Sequence, residues 1–161
     1  MEQNTVGFLK SNSGKKGEGM PVVRNPQFYF KEGFCWTDVN STYLKARTKK
    51  SGVFDVLSMS LFTQVHIPDW YFVCMINSRL ISFYVDNFIN NTSHFQINDA
   101  RQLPIIVPTK EKLLEFEILF NLAVEIKQKQ FSNQLFINDI EDKLANIQEE
   151  LDKTIEELYG F

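Results

Sequence analysis

The sequence predicts an α+β fold, in which a small, mostly antiparallel sheet packs with a long central helix and is followed by an antiparallel helical hairpin. Three patterns support this: short β-branched and aromatic segments up to residue 61, an apolar helical run from Tyr71, and two apolar stripes after residue 109. The 161 residues, 43% of them hydrophobic, are enough for one domain with a helical appendage. We expect three parts: a flexible basic arm (1–20), the sheet with its central helix (21–108) and the hairpin (109–161).

Residues 1–20 are rich in glycine and lysine and poor in large apolar side chains, which predicts a flexible arm. Gly14-Lys15-Lys16-Gly17 has the composition of a phosphate-binding loop. Such a loop needs a strand before it and a helix directly after it, and the sequence indicates neither. We therefore expect an arm rather than a nucleotide site.

Six short segments between Val22 and Leu61 are typical of strands, because they are rich in β-branched and aromatic residues and are separated by turn residues. They cover residues 22–24, 27–30, 34–37, 43–47, 53–56 and 58–61. The densest basic run, residues 45–50, is expected at a hairpin tip, where its cations would reach phosphates or a groove. Its cations are Lys45, Arg47, Lys49 and Lys50. The other interpretation, a solvated turn that keeps the protein soluble, stays open.

The stretch from Tyr71 to Pro108 is predicted to present a recognition loop. An apolar period of three to four residues predicts one long buried helix that reaches Phe88. A polar loop within residues 87–98 follows, and an apolar strand over residues 100–108 takes the chain away. Loops mounted on packed elements commonly carry binding contacts. His94 is expected either to stack on or hydrogen bond with a base, or to be a plain surface residue.

Two amphipathic helices are predicted at the end of the sequence. Thr109 is a candidate N-cap, and apolar residues recur at helical spacing from Leu113 to Ile126. A second stripe runs from Ile137 to Leu158, and Gly160 is a natural stop. Because the link between the helices is short, they are expected to form an antiparallel hairpin. Its apolar stripe packs within the chain, or else with another domain or with a second copy in a homodimer.

Charge is unevenly distributed along the sequence, although the net charge is only −3. Residues 1–50 contain nine basic and four acidic residues, a net +5, whereas residues 51–109 carry a net −2 and residues 110–161 a net −6. A basic first third suits the phosphate backbone of duplex DNA, and an acidic hairpin would be kept away from it. The pattern favours a DNA-recognition module.

Two fragments suggest enzymes, and the context of each argues against it. Residues 25–28 (Asn-Pro-Gln-Phe) are one residue short of the loop with which adenine-specific DNA methyltransferases hold a flipped base. Only 24 residues precede them, too few for the cofactor-binding domain that such a loop follows. Pro68-Asp69 and residues 125–127 carry pieces of a metal-dependent nuclease motif but are more than fifty residues apart and predicted on separate helices. The chain is therefore expected not to be an enzyme.

Cysteine and histidine patterns predict neither a metal site nor a disulfide. Cys35 and Cys74 lie apart in apolar surroundings, which is typical of reduced, buried thiols. His66 and His94 have no neighbouring acidic or cysteine cluster, so neither is a candidate metal ligand. The sequence shows no signal peptide, and polar residues interrupt the apolar run from Trp70. A cytoplasmic protein with no membrane partner is therefore expected.

Six segments carry a family resemblance: residues 29–37, 46–47, 52–55, 75–80 and 102–108, and the acidic ending 149–161, which closes on Leu-Tyr-Gly-Phe. In the same order they resemble the C-terminal specificity domain of type IIG restriction–modification enzymes and related phage-defence adenine methyltransferases. The resemblance covers nearly the whole chain from Gln27. Departures occur at Phe34 and Cys35 in the aromatic motif, and at Ile106 and Val107, where a proline is common.

The resemblance implies a TaqI-like target-recognition domain that binds double-stranded DNA. The methyltransferase, with its S-adenosylmethionine, and any nuclease would belong to a separate domain or subunit, and no cofactor is expected in this chain. The residues expected to contact phosphates are Lys45, Arg47, Lys49 and Lys50. Those expected to read base edges are Asn90, Asn91, His94 and Arg101. The hairpin would be the spacer that holds this domain across the duplex from the catalytic domain.

Other functions stay open. The chain is alternatively a protein–protein interaction module that acts through the hairpin, or half of a type I restriction specificity subunit that uses the hairpin to dimerise. A small enzyme would require a cluster of titratable groups in a cleft.

Overall fold

The computed structural model describes residues 7–8, 11, 25–40, 42–54, 58–132 and 137–161. A three-stranded antiparallel sheet is formed by β1 (Gly33–Thr37), β2 (Ala46–Lys49) and β3 (Ser58–Leu61), in the order β2-β1-β3. The predicted α+β class and antiparallel sheet are confirmed. The predicted strand over 22–24 lies outside the described residues, as do nearly all of the basic arm and the end of the segment 53–56.

The sheet has a core face that begins with the aromatic residues of β1. Trp36 pairs with Ala46 on one side and Met59 on the other, and all three side chains are buried. Because side chains alternate across a strand, Phe34 lies on this same face. It stacks on Phe72, with ring centroids 5.4 Å apart. The sheet thereby packs against the helix that follows it.

The helices described after the sheet are α1 (Asp69–Ile76), α2 (Arg79–Tyr84), α3 (Ile97–Ala100), α4 (Lys110–Phe131) and α5 (Ile137–Tyr159). A π-helical turn, Val85–Ile89, continues α2. No described helix combines the length and apolar character needed to cross a membrane. Thr109 is the N-cap of α4, as predicted, and its side chain accepts a hydrogen bond from the backbone N–H of Lys112 at 3.2 Å.

The predicted single long helix is interrupted between α1 and α2. The Ser78 side chain accepts a hydrogen bond from the backbone N–H of Ile81 at 3.1 Å and donates one to the carbonyl of Met75 at 2.8 Å. A serine that binds both neighbouring turns ends one helix and caps the next. The apolar periodicity from residue 73 to 88 is real, but it spans two helices and a π-turn.

The predicted strand over residues 100–108 is wrong, because this segment begins at the end of α3 and then continues as irregular chain that is not assigned to any strand. Pro104 and Pro108 lack the N–H groups that a sheet ladder requires. Two tyrosines bind its carbonyls instead: Tyr71 Oη donates to Ile106 at 2.7 Å and Tyr159 Oη donates to Pro104 at 2.5 Å. Burial raises the pKa of both phenols, so they remain donors at neutral pH.

The predicted strand over residues 27–30 is also wrong, since a 3₁₀ turn occupies Pro26–Phe28. Asn25, which precedes the turn, has φ of 51°, a left-handed conformation that asparagine tolerates better than most residues. Proline at the first position fixes the backbone for the turn. Asn25 is exposed and Phe28 stacks on Phe62, with centroids 5.0 Å apart, so the fragment is a packed Asn-Pro turn.

The two long helices form an antiparallel hairpin, as predicted. Lys112, near the start of α4, lies 3.0 Å from Glu157, near the end of α5. The base of the hairpin shares a core with α1, in which Met75 packs with Phe116 of α4 and Ile155 of α5. The hairpin is therefore joined to the sheet through α1.

Candidate nucleic-acid interface

Residues 38–40 and 93–95 run side by side and form the platform of the candidate interface. Val39 and His94 form an isolated antiparallel bridge. The backbone N–H of Asn40 donates to the Ser93 carbonyl at 2.7 Å, and that of Phe95 donates to the Asp38 carbonyl at 2.8 Å. These bonds fix the polar loop to the end of β1.

The platform is anchored from below by the core. Trp36 donates its indole N–H to the Phe95 carbonyl at 2.8 Å, and both side chains are buried. A buried indole N–H requires such a partner, so this hydrogen bond ties the end of the loop to the core. The loop is held by packed elements on this side.

His94 is the side chain that this platform presents. Its Nδ1 lies 2.8 Å from Oδ2 of Asp38, with side chains 53% and 11% exposed respectively. The buried carboxylate fixes the ring by accepting the Nδ1 proton, which leaves Nε2 for an external partner. Oδ1 of Asp38 is buried and has no hydrogen-bond partner among the described residues.

Asn90 braces the loop from within. Its Nδ2 donates to the His94 carbonyl at 2.8 Å and to Oδ2 of Asp99 at 3.2 Å. Its Oδ1 accepts from the backbone N–H and the hydroxyl of Thr92 at 3.0 and 2.8 Å. All donors and acceptors of an asparagine amide are occupied by these four bonds. The amide therefore holds the loop in place.

The other two predicted base readers are exposed. Asn91 lies in the loop beside Asn90, and Arg101 ends α3, where its Nη1 donates to Oδ1 of Asn98 at 3.3 Å. Asp99 forms a capping box at the start of the same helix, since its carboxylate accepts from the backbone N–H of Gln96 at 2.8 Å. Arg101 therefore directly follows a short helix, and Asn90 of the loop hydrogen bonds with Asp99 of that helix.

A groove of about 430 Å³ adjoins the loop. It lies between the entry to β2, the α1–α2 junction and α5, and shares Tyr43 and Leu44 with a second cavity of about 20 Å³ that reaches His94. The residues that line the groove are Tyr43, Leu44, Lys45, Ala46, Asn77, Arg79 and Gln148. Tyr43 is 56% exposed.

Asn77 closes the edge of β2 at the bottom of this groove. The backbone N–H of Ala46 donates to Oδ1 of Asn77 at 2.6 Å, and Nδ2 of Asn77 donates to the Ala46 carbonyl at 3.0 Å. The amide thus takes the place of a neighbouring strand. Gln148 joins α5 to the same point by donating to the Asn77 carbonyl at 3.2 Å.

Arg79 contributes a cation at the first position of α2, where the helix dipole disfavours positive charge. Asp152 of α5 offsets this unfavourable charge. Its carboxylate accepts a hydrogen bond from the backbone N–H of Arg79 at 2.8 Å and lies 3.2 Å from Nε of the same residue. The Asp152 side chain is 7% exposed and that of Arg79 is 61% exposed. The guanidinium is therefore tethered at Nε and open to solvent elsewhere.

The basic run 45–50 is an edge strand and its flanks, rather than the hairpin tip predicted from sequence. Lys45, Arg47 and Lys50 are exposed. Lys49 lies with its Nζ 4.9 Å from the ring centroid of Phe54 and 4.8 Å from that of Phe62. Burial lowers the pKa of its ammonium group. The tip prediction failed because residues 46–49 pair with β1, up to Lys49 opposite Gly33.

Three residues of the interface were not identified from sequence: Asp38, Tyr43 and Arg79. Asp38 gives no sequence signal of its contact with His94, because 56 residues separate the two. Arg79 could have been found, because it directly follows a serine that caps a helix. A basic residue is unfavourable at the start of a helix, so its presence there implies an anion nearby. Among the described residues, no three His, Cys, Asp or Glu side chains are grouped as metal ligands.

The protein is thus an α+β domain in which a groove lined by Lys45 and Arg79 lies beside a polar loop held by hydrogen bonds. Comparison with models of known protein families gives no match. The chain is similar to the adenine-specific methyltransferase BrxX of Escherichia coli O9:H4 (strain HS), with 26% identity over 168 residues. The alignment covers 86% of this chain and 13% of that protein. The link to adenine methyltransferases that the sequence motifs suggested is supported at this coarse level.

Proposed function

We propose that this chain is a sequence-specific recognition module for double-stranded DNA within an adenine-methyltransferase system, and that catalysis belongs to another domain or subunit. The observation that carries the proposal is the juxtaposition of a groove lined by Lys45 and Arg79 with the rigid loop that presents His94. The similarity to a small part of an adenine-specific methyltransferase supports the choice of system.

The phosphate backbone is assigned to the exposed cations. Lys45, Arg47 and Lys50 lie on β2 and its flanks, and Arg79 lines the same groove as Lys45. Cations of this kind set register and orientation on a duplex without reading sequence. Lys49 is left out of this set because its ammonium packs over two aromatic rings.

Base reading is assigned to Asn91, His94 and Arg101, which are exposed on or beside the loop. Amide, imidazole and guanidinium groups can hydrogen bond with base edges in the major groove. Asn90 supports these residues from behind, because its amide is occupied within the loop. Because the loop is already ordered by these hydrogen bonds, DNA binding would cost little conformational entropy.

The hairpin is assigned the role of a spacer between this module and a methyltransferase domain or subunit that would bind S-adenosylmethionine. Its acidic composition keeps it off the phosphates. The apolar stripe of Leu114, Ile118 and Leu122 on α4 is 57%, 53% and 45% exposed. This stripe favours the second candidate function, a protein–protein contact through the hairpin with a partner domain or a second copy.

Selection from a pool of duplexes with a randomised segment tests the proposal. The purified chain is expected to enrich a defined sequence at low salt, and the variant Lys45→Gln/Arg79→Gln is expected to bind all sequences more weakly. Lys127→Gln/Lys143→Gln, which removes two cations from the hairpin, is the matched control. Binding without enrichment of any sequence, or no binding at low salt, would overturn sequence-specific recognition.

A further inference from the structure

The Asp38–His94 pair has a geometry that the proposed function does not by itself require. An exposed histidine that merely contacted DNA would need no buried carboxylate behind it. Here the carboxylate lies 2.8 Å from Nδ1 and its side chain is 11% exposed. Burying a carboxylate is costly, so a buried Asp38 beside His94 calls for a role.

We propose that Asp38 holds His94 as a hydrogen-bond acceptor for the exocyclic amino group of one base, so that the pair selects adenine or cytosine at one position of the target. This inference rests on the proposed function, because it assigns the chemistry read by one residue of the recognition loop. Asp38 is a positioning residue, and His94 makes the contact.

The ring is fixed by more than one contact. The Val39–His94 bridge and the Asn40–Ser93 hydrogen bond hold the backbone beside Asp38. Asn90 fixes the His94 carbonyl from the other side. These bonds fix the backbone of His94 relative to Asp38, and the contact between Nδ1 and Oδ2 at 2.8 Å then sets the orientation of the ring.

Fixing the ring also fixes the tautomer. In the neutral imidazole, Nδ1 carries the proton that Asp38 accepts, and Nε2 is left with a lone pair. In the major groove, the base groups that donate to such an acceptor are the N6 amino group of adenine and the N4 amino group of cytosine. Guanine and thymine present only acceptors at the corresponding edges, so they would leave Nε2 unpaired.

The unpaired Oδ1 of Asp38 makes the proposal testable by one substitution. In Asp38→Asn, the amide oxygen can take the Oδ1 position without losing a hydrogen bond, because no described group donates to Oδ1. The amide should therefore turn its nitrogen toward Nδ1 of His94, which moves the ring proton to Nε2. His94 would then donate, and the preferred base group would change from an amine to an acceptor.

The experiment compares duplexes that carry the selected sequence, with adenine or cytosine replaced position by position by an analogue that lacks the exocyclic amine. Binding is measured at pH 8.5, above the range in which imidazole ordinarily titrates. For the wild-type chain, we expect one position at which loss of the amine weakens binding roughly tenfold. Asp38→Asn should lose or invert this preference, and His94→Ala should lose it.

Asp86→Asn is the matched control, because Asp86 lines the same small cavity and its substitution changes the charge equally without touching His94. It should keep the tenfold preference. His94→Ala removes an exposed ring, so it keeps the test decisive if Asp38→Asn fails to fold by circular dichroism. Retention of the preference in His94→Ala, or in folded Asp38→Asn, would overturn the inference while the proposed function stands. Failure to select any sequence would overturn both.

Discussion

At Asn77 and Asn90, side-chain amides hydrogen bond with backbone groups of neighbouring segments. Asn77 pairs with both backbone groups of Ala46, and Asn90 joins the two ends of its own loop. Sequence alone cannot separate such braces from free recognition groups, because Asn90 and the exposed Asn91 are adjacent and chemically identical. The distinction comes from which one finds partners in the fold.

Replacing Asn77 by alanine should destabilise the fold. The N–H and carbonyl of Ala46 would lose their partners, and a partly buried unpaired backbone group costs about 1–3 kcal/mol. Urea unfolding monitored by circular dichroism measures the change. Asn91→Ala, the same substitution at an exposed site, should stay within about 0.5 kcal/mol of wild type. Equal stabilities for the two variants would contradict the edge-closing role of Asn77.

Cys74 should be inert to alkylation in the folded chain. Burial raises the pKa of its thiol to about 12, so at pH 8 only about one molecule in ten thousand carries the reactive thiolate. Because the folded pKa is raised, unfolding increases ionisation, and reaction should follow the unfolded fraction. Iodoacetamide labelling with peptide mass spectrometry measures this, and labelling in urea is the control. Rapid modification of Cys74 under native conditions would contradict its burial.

Among the elements, those set by periodic burial were predicted well and those set by distant partners were not. The hairpin helices follow their apolar stripes, and the second runs from Ile137 to Tyr159, within one residue of the expected end. The break after α1 depends on Ser78, whose hydrogen bonds to the adjoining turns interrupt the helix without disturbing the apolar period. The irregular segment that follows α3 depends on the hydroxyls of Tyr71 and Tyr159, which lie 35 and 55 residues from the carbonyls they bind. Such contacts join residues far apart in sequence, which periodicity does not register.

The pairing of β1 with β3 requires a glycine at position 33. A Cβ placed there would lie 2.5 Å from the Leu61 carbonyl oxygen and 2.9 Å from Cδ1 of Phe62. Gly33→Ala should therefore separate the two strands and destabilise the chain by about 1–3 kcal/mol, measured by thermal unfolding. Gly7→Ala, where a Cβ meets nothing within 4 Å, is the control. An unchanged melting temperature for Gly33→Ala would contradict the close β1–β3 packing.

For the molecule as a whole, α1 is the connection between the sheet and the hairpin. Its residues contribute to the core under the sheet and to the core at the hairpin base. The charge division predicted that the basic surface belongs to the first third of the chain, and Lys45, Arg47 and Lys50, which lie there, are exposed. The groove could not be predicted, because it is built from three elements that meet only in the folded chain.

The most direct test of DNA recognition is the salt dependence of duplex binding, measured by fluorescence anisotropy. If Lys45, Arg47, Lys50 and Arg79 each neutralise one phosphate, the slope of log K against log salt should be about −3 to −4, since each contact contributes about −0.9. Replacing these four by glutamine should bring the slope close to zero. Replacing Lys110, Lys127, Lys129 and Lys143 of the hairpin should leave it unchanged. No binding at low salt, a slope near zero for the wild-type chain, or an equal loss in the hairpin variant would contradict the account.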